Sequence, residues 1–202
     1  MTPGKRLFDL AFAALLVAVL ALPFALLLLV LLWRQGLPLF YVSERMNTPT
    51  RGFALWKLRT MSPVASDSGV SGGDKAARIT PLGRFLRRTR LDEVPQLWNI
   101  LNGDISFVGP RPPLRRYVEM FPVLYGQVLR SRPGVTGLAT LHIHQYEARV
   151  LAGCTTPEET EAAYVSRCIP RKARLDLIYQ NRWSLCLDIW LILQTALGRK
   201  RH

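Results

Sequence analysis

The sequence predicts an α+β protein, mostly α, in which an N-terminal membrane helix precedes a small globular domain with a short β-hairpin. Three observations predict this class. Residues 10–33 form an uncharged apolar run, two short strand-like runs flank a turn-rich stretch, and most later segments repeat apolar residues every three or four positions. We therefore expect a membrane anchor over residues 1–35 and a domain on the cytoplasmic face over residues 36–202.

The apolar run is long enough to anchor the chain in a membrane. Its 24 residues would form a straight helix of roughly 36 Å, and the hydrocarbon core of a bilayer is about 30 Å thick. The run is too long for a cleaved signal peptide, and no small-residue cleavage pattern follows it. We expect it to remain in the mature protein.

Basic residues on both sides of the run leave two membrane arrangements open. Lys5 and Arg6 precede it and Arg34 follows it, so the positive-inside rule draws both flanks toward the cytoplasm. Pro23, near the middle, removes a backbone hydrogen bond and tends to kink a helix. A helix bent there would enter and leave through one leaflet, whereas a straight helix with a tolerated proline would span the bilayer.

The net charge of +13 indicates partners that carry negative charge. Anionic lipids, phosphorylated substrates and nucleic acids are the three ordinary classes. Beside a membrane anchor, each basic residue contributes about 1 kcal/mol of attraction to an anionic leaflet, so membrane lipids account for most of the charge. No nucleic-acid reader motif is recognisable, and we expect no nucleic-acid partner. The three cysteines are widely spaced without metal-ligand spacing, which indicates a reducing compartment.

Four further stretches have readable secondary structure. Residues 40–42 and 53–56 flank the turn-rich residues 47–52 and predict a β-hairpin. The Ser-, Gly- and Asp-rich residues 62–75 predict a surface loop. A capping pattern at residues 156–159 and an apolar run over residues 184–197 predict two late helices.

Two adjacent helices are predicted in the middle of the chain. In the first, apolar residues form one face and arginines the other: Ile79, Leu82, Phe85 and Leu86 against Arg84, Arg87 and Arg88. Such a helix can lie in the membrane interface, or it can expose a basic face to water from an ordinary core helix. The second helix is predicted to begin at Asp92 and to end at Asn102, before Gly103.

Asp92 and Glu93 are adjacent acids that closely follow Arg87 and Arg90. Cationic neighbours and a helix N-terminus lower carboxylate pKa values, so we expect both groups to be ionised at neutral pH. Ionised carboxylates bind Mg²⁺, and guanidinium groups bind phosphate oxygens. The pair therefore predicts a metal-assisted phosphate site. The simpler alternative makes Asp92 a helix N-cap and Glu93 a first-turn acid.

Further cations lie where the backbone is restricted. Lys57 and Arg59 end a strand-like run, Arg111 lies between two prolines, and Arg132 precedes a Pro-Gly pair. A restricted backbone loses less entropy when its side chain grips a phosphate. Together with the acidic pair and the anchor, these residues predict a site that handles phosphates. P-loop, Rossmann, zincin and nucleophile-elbow motifs are absent from the sequence.

Residues 80–99, TPLGRFLRRTRLDEVPQLWN, closely resemble the core of the bacterial initiating sugar transferases, the small monotopic phosphoglycosyl transferases. The resemblance continues through WKLRTM at 56–61, GDISFVGPRP at 103–112 and RPGVTG at 132–137. It covers nearly the whole chain, from Lys5 to Thr195. In that family the segment that matches residues 10–33 is a re-entrant helix, which implies a bend near Pro23.

The resemblance implies a two-step reaction in the bacterial cytoplasmic (inner) membrane. Asp92 would attack the β-phosphate of a UDP-sugar, release UMP and hold the sugar-phosphate covalently until polyprenyl (undecaprenyl) phosphate accepts it. Mg²⁺ would bridge the diphosphate and Asp92, and Glu93 would assist with the metal or the acceptor. The positions expected to hold phosphates are Lys57, Arg59, Arg87, Arg111 and Arg132. The product would be the first lipid-linked step of a glycan such as O-antigen, capsule or exopolysaccharide. The expected partners also include a second copy of the chain in a homodimer.

Two positions depart from the family pattern. Leu22 stands where relatives have a serine before the proline, and residues 140–144 lack the Gly-Arg pair of many relatives.

Two other functions remain alternatives. A non-catalytic membrane scaffold would use Asp92 only as a helix cap, and a membrane-tethered nucleic-acid binder would show a steep salt dependence.

Overall fold

The computed structural model describes residues 2–63 and 77–198. Within these ranges the helices are α1 Pro3–Gln35, α2 Pro81–Thr89, α3 Gln96–Asn102, α4 Arg115–Met120, α5 Pro122–Val128, α6 Leu138–Ala152, α7 Pro157–Ala163, α8 Ile169–Asn181 and α9 Leu185–Ala196. The strands are β1 Phe40–Met46, β2 Gly52–Leu58, β3 Ser106–Val108 and β4 Gly134–Thr136. The mostly α, α+β class and the short hairpin are confirmed. The loop predicted over residues 62–75 lies almost entirely outside the described residues.

Helix α1 is the long apolar element at the start of the chain. Thr2 caps it by accepting a hydrogen bond from the Lys5 N–H, and Gly36, at φ 62°, ends it. Among the described residues it is the one helix long and apolar enough to cross a membrane, and only 6% of its most apolar window is buried. The helix continues through Pro23. Its re-entrant course remains a prediction.

Both halves of α1 pack on the globular domain through one narrow face. Ala13, fully buried, joins a core cluster with Ile100 of α3 and Phe107 of β3. Leu31, also fully buried, packs with Leu58 of β2 and belongs to a separate cluster. The remaining faces of α1 expose leucine and valine side chains. An apolar surface of this extent marks a contact with a membrane or another partner.

Strands β1 and β2 form an antiparallel hairpin that orients two cations. Its register pairs Tyr41 with Lys57 and Arg45 with Phe53. Because alternate residues of paired strands share a face, Arg45 and Lys57 lie on the same side of the hairpin, with Leu55 between them.

The helix predicted to begin at Asp92 begins later. Leu91–Glu93 form a 3₁₀ turn, and α3 starts at Gln96. Pro95 lacks the N–H that would bond to the Leu91 carbonyl, which interrupts the α-helical pattern. The predicted start was therefore wrong, whereas the predicted end is confirmed by Gly103 at φ 83°.

A two-stranded parallel sheet fixes the loop that carries Arg111. Ser106 pairs with Gly134 and Val108 with Thr136, and the Gly134 N–H donates to the Pro110 carbonyl at 2.8 Å. A Cβ atom at Gly134 would collide with the backbone of Gly109 and Val108. Only glycine allows this close approach, so the two loops hold one another in place.

Helices α4 to α8 enclose the remaining core and bury one carboxyl group. Asp176 of α8 is 6% exposed, and burial raises its pKa to about 7, with Lys172 opposing the shift. In the unfolded chain an aspartate has a pKa near 3.8. Because the folded pKa is the higher one, the folded state loses stability as pH rises from about 4 to about 7.

Replacing Asp176 by asparagine should therefore stabilise the protein above neutral pH. A shift from 3.8 to about 7 corresponds to on the order of 4 kcal/mol. We expect the gain in unfolding free energy of Asp176→Asn over wild type to grow between pH 5 and 7 and to level off above 7. Denaturant unfolding in one detergent measures it. Glu158→Gln, at an exposed site in α7, is the control, and an equal pH trend in it would contradict the assignment.

Candidate active site

Asp92 lies on the 3₁₀ turn between α2 and α3. Arg90, which precedes the turn, adopts φ 59°, the left-handed conformation that non-glycine residues rarely take. Such backbone strain is concentrated at functional sites in proteins. The turn buries Asp92, whose residue surface is 8% exposed.

Glu93 is bound on both carboxylate oxygens. Its Oε1 accepts a hydrogen bond from Lys57 Nζ at 3.0 Å, and its Oε2 accepts from Arg90 Nε and Nη2 at 3.2 and 3.0 Å. Burial alone would raise the pKa of Glu93, but Lys57, Arg90 and Arg111 outweigh it and lower the pKa to about 2. Glu93 is therefore a fixed anion that holds two cations in place.

Asp92 has a different environment from its neighbour. Among the described residues its carboxylate makes no hydrogen bond and no ion pair, and no side chain caps the 3₁₀ turn or α3. Burial and the adjacent Glu93 raise the pKa of Asp92, although Lys57, Arg87 and Arg90 act in the opposite direction. The expectation that cationic neighbours would lower this pKa was wrong, because burial weighs more than the arginines. The helix-cap alternative has no hydrogen bond to support it.

Arg87 is held toward the acidic pair by the packing of α2. Its Nε donates to Thr60 Oγ1 at 2.9 Å, and the Thr80 N–H donates to the Thr60 carbonyl at 3.2 Å. A Cβ atom at Gly83 would overlap that same carbonyl. The absent side chain at position 83 therefore lets α2 approach the end of the hairpin and aims Arg87.

Arg111 lies at the centre of the cationic groups. Its side chain is exposed, and it makes no ion pair within the described ranges. After burial, its charge is among the causes that lower the pKa values of Arg45, Lys57 and Arg87. The neighbourhood of Asp92 therefore has more positive than negative charge, which suits a ligand with several anionic oxygens.

Comparison with known proteins identifies the family of this chain. The family model described as bacterial sugar transferase matches residues 2–200. The chain belongs to the bacterial sugar transferase family. It is 30% identical over 192 residues to the uncharacterized sugar transferase EpsL of Bacillus subtilis (strain 168), across 95% of this chain and 85% of that one.

Two further relatives have names that state a reaction. The UDP-glucose:undecaprenyl-phosphate glucose-1-phosphate transferase of Caulobacter vibrioides is 32% identical over 196 residues, across 95% of this chain and 68% of that one. The protein of the same name from Xanthomonas campestris pv. campestris is 35% identical over 172 residues, across 81% of this chain. The match covers only 32% of that relative, so this sugar transferase spans about a third of its length.

The structure of this sugar transferase brings together three of the five expected phosphate-binding residues. Lys57, Arg87 and Arg111 surround the acidic pair. Arg59 is directed elsewhere, since its Nη2 donates to the carbonyls of Gln35 and Gly36 at 2.5 and 3.0 Å, at the end of α1. Arg132 lies by Arg6 and the end of α3. A phosphate-binding role for these last two residues remains a prediction.

Residue patterns missed two members of the site, Arg45 and Gln96. Arg45 ends β1, and only the register of the hairpin shows that it shares a face with Lys57. Gln96 lies within the stretch that resembles the family core, but an amide side chain there is unremarkable until its burial is known; it is 3% exposed. Both residues line a cleft beside Glu93.

Of the two acidic residues, Asp92 suits Mg²⁺ as a direct ligand better than Glu93 does. The described residues contain no group of three His, Cys, Asp or Glu side chains that could hold a metal. Mg²⁺ commonly uses one or two carboxylates together with substrate phosphates and water. The unpartnered carboxylate of Asp92 suits a direct ligand, whereas each oxygen of Glu93 is already bonded to a cation. The residues therefore fit a metal that arrives with a diphosphate.

Proposed function

We propose that this sugar transferase moves a sugar 1-phosphate from a UDP-sugar to polyprenyl (undecaprenyl) phosphate through a covalent intermediate on Asp92, with release of UMP. Two relatives are named for transfer of glucose 1-phosphate between such substrates. The observation that carries the proposal is Asp92, which is 8% exposed and whose carboxylate oxygens reach solvent without bonding to a described group, beside cations able to neutralise a diphosphate. A carboxylate used only for structure would be hydrogen-bonded.

In the first half-reaction an Asp92 oxygen forms a bond to the β-phosphorus of the donor. The bond from that phosphorus to the bridging oxygen breaks, and UMP leaves with the electron pair. Phosphoryl transfer depends chiefly on alignment and on neutralising the charge of the phosphate oxygens. Lys57, Arg87 and Arg111 supply positive charge, and Glu93 keeps Lys57 and Arg90 in position through both of its oxygens.

In the second half-reaction an oxygen of the acceptor phosphate forms a bond to the same phosphorus. The bond between Asp92 and phosphorus breaks, which restores the carboxylate. Mg²⁺, held by Asp92 and the phosphates, would neutralise charge in both halves. Glu93 would assist by holding Lys57 and Arg90, to which its oxygens are bonded.

The attachment of α1 supports a re-entrant anchor and a catalytic domain on the cytoplasmic face. Near its start, Arg6 donates to the carbonyls of Ile100 and Leu101 at 2.6 and 2.8 Å. At its end, Gln35 accepts from Arg59. Both ends are thus bonded to one domain, whereas a spanning helix would carry them to opposite sides of a core about 30 Å thick. Its basic flanks favour the cytoplasmic side.

The test is a half-reaction with the full chain in detergent micelles. We expect one member of a panel of UDP-sugars, with Mg²⁺ and no acceptor, to release UMP in a burst equal to the enzyme present. Intact mass should then increase by one sugar-phosphate, and undecaprenyl phosphate should remove the adduct. A chelator should abolish both halves, and added Mg²⁺ should restore them.

The controls separate this route from others. UMP release that requires the acceptor, with no adduct at any time, would exclude the covalent route but not the overall transfer. Absence of UMP release with every donor and with acceptor present would contradict the enzyme itself.

A further inference from the structure

A narrow cleft lies beside the acidic pair, between the hairpin and the loops after β3 and before β4. The space within it is small and partly open to solvent. Its polar lining consists of Arg45, Lys57, Glu93, Gln96 and Arg111. Lys57 and Glu93 are bonded to each other, whereas the other three side chains have no such partner. The described contacts therefore do not explain why Arg45, Gln96 and Arg111 face this cleft.

Two of these side chains present buried donors without an acceptor. The Nε2 atom of Gln96 and the Nε atom of Arg45 are buried and have no hydrogen-bond partner among the described residues. Gln96 is 3% exposed, so bulk water does not satisfy it. A buried donor without an acceptor is destabilising, and most buried donors in native proteins are hydrogen-bonded. Both groups donate, so a ligand that satisfies them must supply acceptor oxygens.

The charges in the cleft specify the ligand further. Arg45 has no ion pair in the described parts of the chain, and the charged group that affects it most is a second guanidinium, that of Arg111. Burial, followed by the charge of Arg111, lowers the pKa of Arg45 to about 10. An anion bound between the two guanidiniums would relieve their repulsion. Guanidinium groups match the geometry of phosphate oxygens, so a phosphate fits better than a single point charge.

We propose that Arg45 and Gln96, with Arg111, form the subsite for the phosphate that does not become bonded to Asp92. This inference rests on the proposed function. In the first half-reaction the subsite holds the α-phosphate of the departing UMP. In the second it holds the acceptor phosphate in the same place.

One subsite serves both phosphates because displacement at phosphorus is in line. UMP leaves from the side of the β-phosphorus opposite the Asp92 oxygen. In the return step Asp92 is itself the leaving group, so the attacking acceptor oxygen must approach from the side that UMP vacated. The cleft is next to the reacting carboxylate in sequence and in space, since Glu93 lines it.

The test compares Arg45→Met, Arg45→Lys and Gln96→Leu with wild type in both half-reactions. Inhibition of adduct formation by UMP, and the rate at which undecaprenyl phosphate removes a preformed adduct, probe the two phosphates separately. We expect Arg45→Met and Gln96→Leu to weaken UMP inhibition and to slow adduct removal, each by roughly 10- to 100-fold. Arg45→Lys should recover part of both effects. Arg149→Met, at an exposed site on α6, should leave both unchanged.

Each other outcome has a definite meaning. Variants that keep wild-type inhibition by UMP while losing only thermal stability would assign Arg45 and Gln96 to folding and overturn the subsite. A loss confined to one half-reaction would overturn the sharing of one subsite. If wild type forms no adduct, the proposed function fails instead, and direct titration of UMP onto each variant still tests phosphate binding.

Discussion

Asp92→Asn should abolish both the sugar-phosphate adduct and UMP release, with turnover reduced by roughly a thousandfold or more. The amide is nearly the same size as the carboxylate but is a poor nucleophile and no anion. Because the Asp92 carboxylate makes no hydrogen bond within the described residues, the substitution removes no structural contact. The variant should therefore fold, and because burial raises the pKa of Asp92, it should be at least as stable as wild type at neutral pH. Intact mass after incubation with the accepted donor and Mg²⁺ measures the adduct directly.

Glu119→Gln is the matched control, since it removes one exposed carboxylate from α4. It should keep wild-type burst size and rate. Persistence of the adduct in Asp92→Asn would move the nucleophile to another residue. Turnover near wild type without any adduct would favour direct transfer from donor to acceptor.

The pattern of residues predicted those parts of the fold whose signals are local. The apolar run predicted α1, the turn-rich residues 47–52 predicted the hairpin, and Gly103 predicted the end of α3. The start of α3 could not be predicted from the spacing of the apolar residues, because two local signals oppose each other there. Asp92 has the composition of a helix start, yet the missing N–H of Pro95 shifts the start to Gln96.

The sequence predicted that the site handles phosphates, but it predicted only some of the residues that form the site. Lys57, Arg87 and Arg111 were predicted as cations that could hold phosphates, and so was Arg59, which bonds to the end of α1. Sequence cannot tell these cases apart, because the acceptor of each guanidinium is set by tertiary packing. Gln96 was missed for the same reason. Its amide became a candidate for ligand binding only because the fold buries its Nε2 atom without a partner.

The raised pKa of Asp92 has the same origin. Neighbouring arginines in the sequence suggested a lowered value, but the sequence does not state how deeply a turn is buried. Burial is the largest cause of the shift at Asp92, and at Glu93 the direct contacts of Lys57 and Arg90 reverse it. Two adjacent carboxyl groups therefore have opposite shifts, as expected where one is a reacting group and the other a structural anion.

Asp188→Asn should cause the largest loss of stability, because it breaks a buried ion pair that fastens α1 to the domain. Asp188 of α9 is fully buried and paired with Lys5 of α1. It also accepts hydrogen bonds from the Tyr179 hydroxyl at 2.6 Å and Trp183 Nε1 at 3.0 Å. Removing one member leaves the ammonium group buried without the carboxylate to which it is bonded, and breaking a buried pair costs about 3–5 kcal/mol. Denaturant unfolding in one detergent measures the loss.

An ion pair on the surface is the control that separates the effect of burial on stability from the effect of charge. Glu44 and Arg115 form an ion pair at 2.6 Å, but their side chains are 54% and 44% exposed, so Glu44→Gln should cost far less stability than Asp188→Asn. The double variant Lys5→Met with Asp188→Leu should lose less stability than the single variants Lys5→Met and Asp188→Leu summed, because it removes both members of the pair. Equal losses for Asp188→Asn and Glu44→Gln would show that the buried pair does not hold α1. A larger loss at Asp188, partly recovered in the double variant, would establish that this pair fastens α1 to the domain.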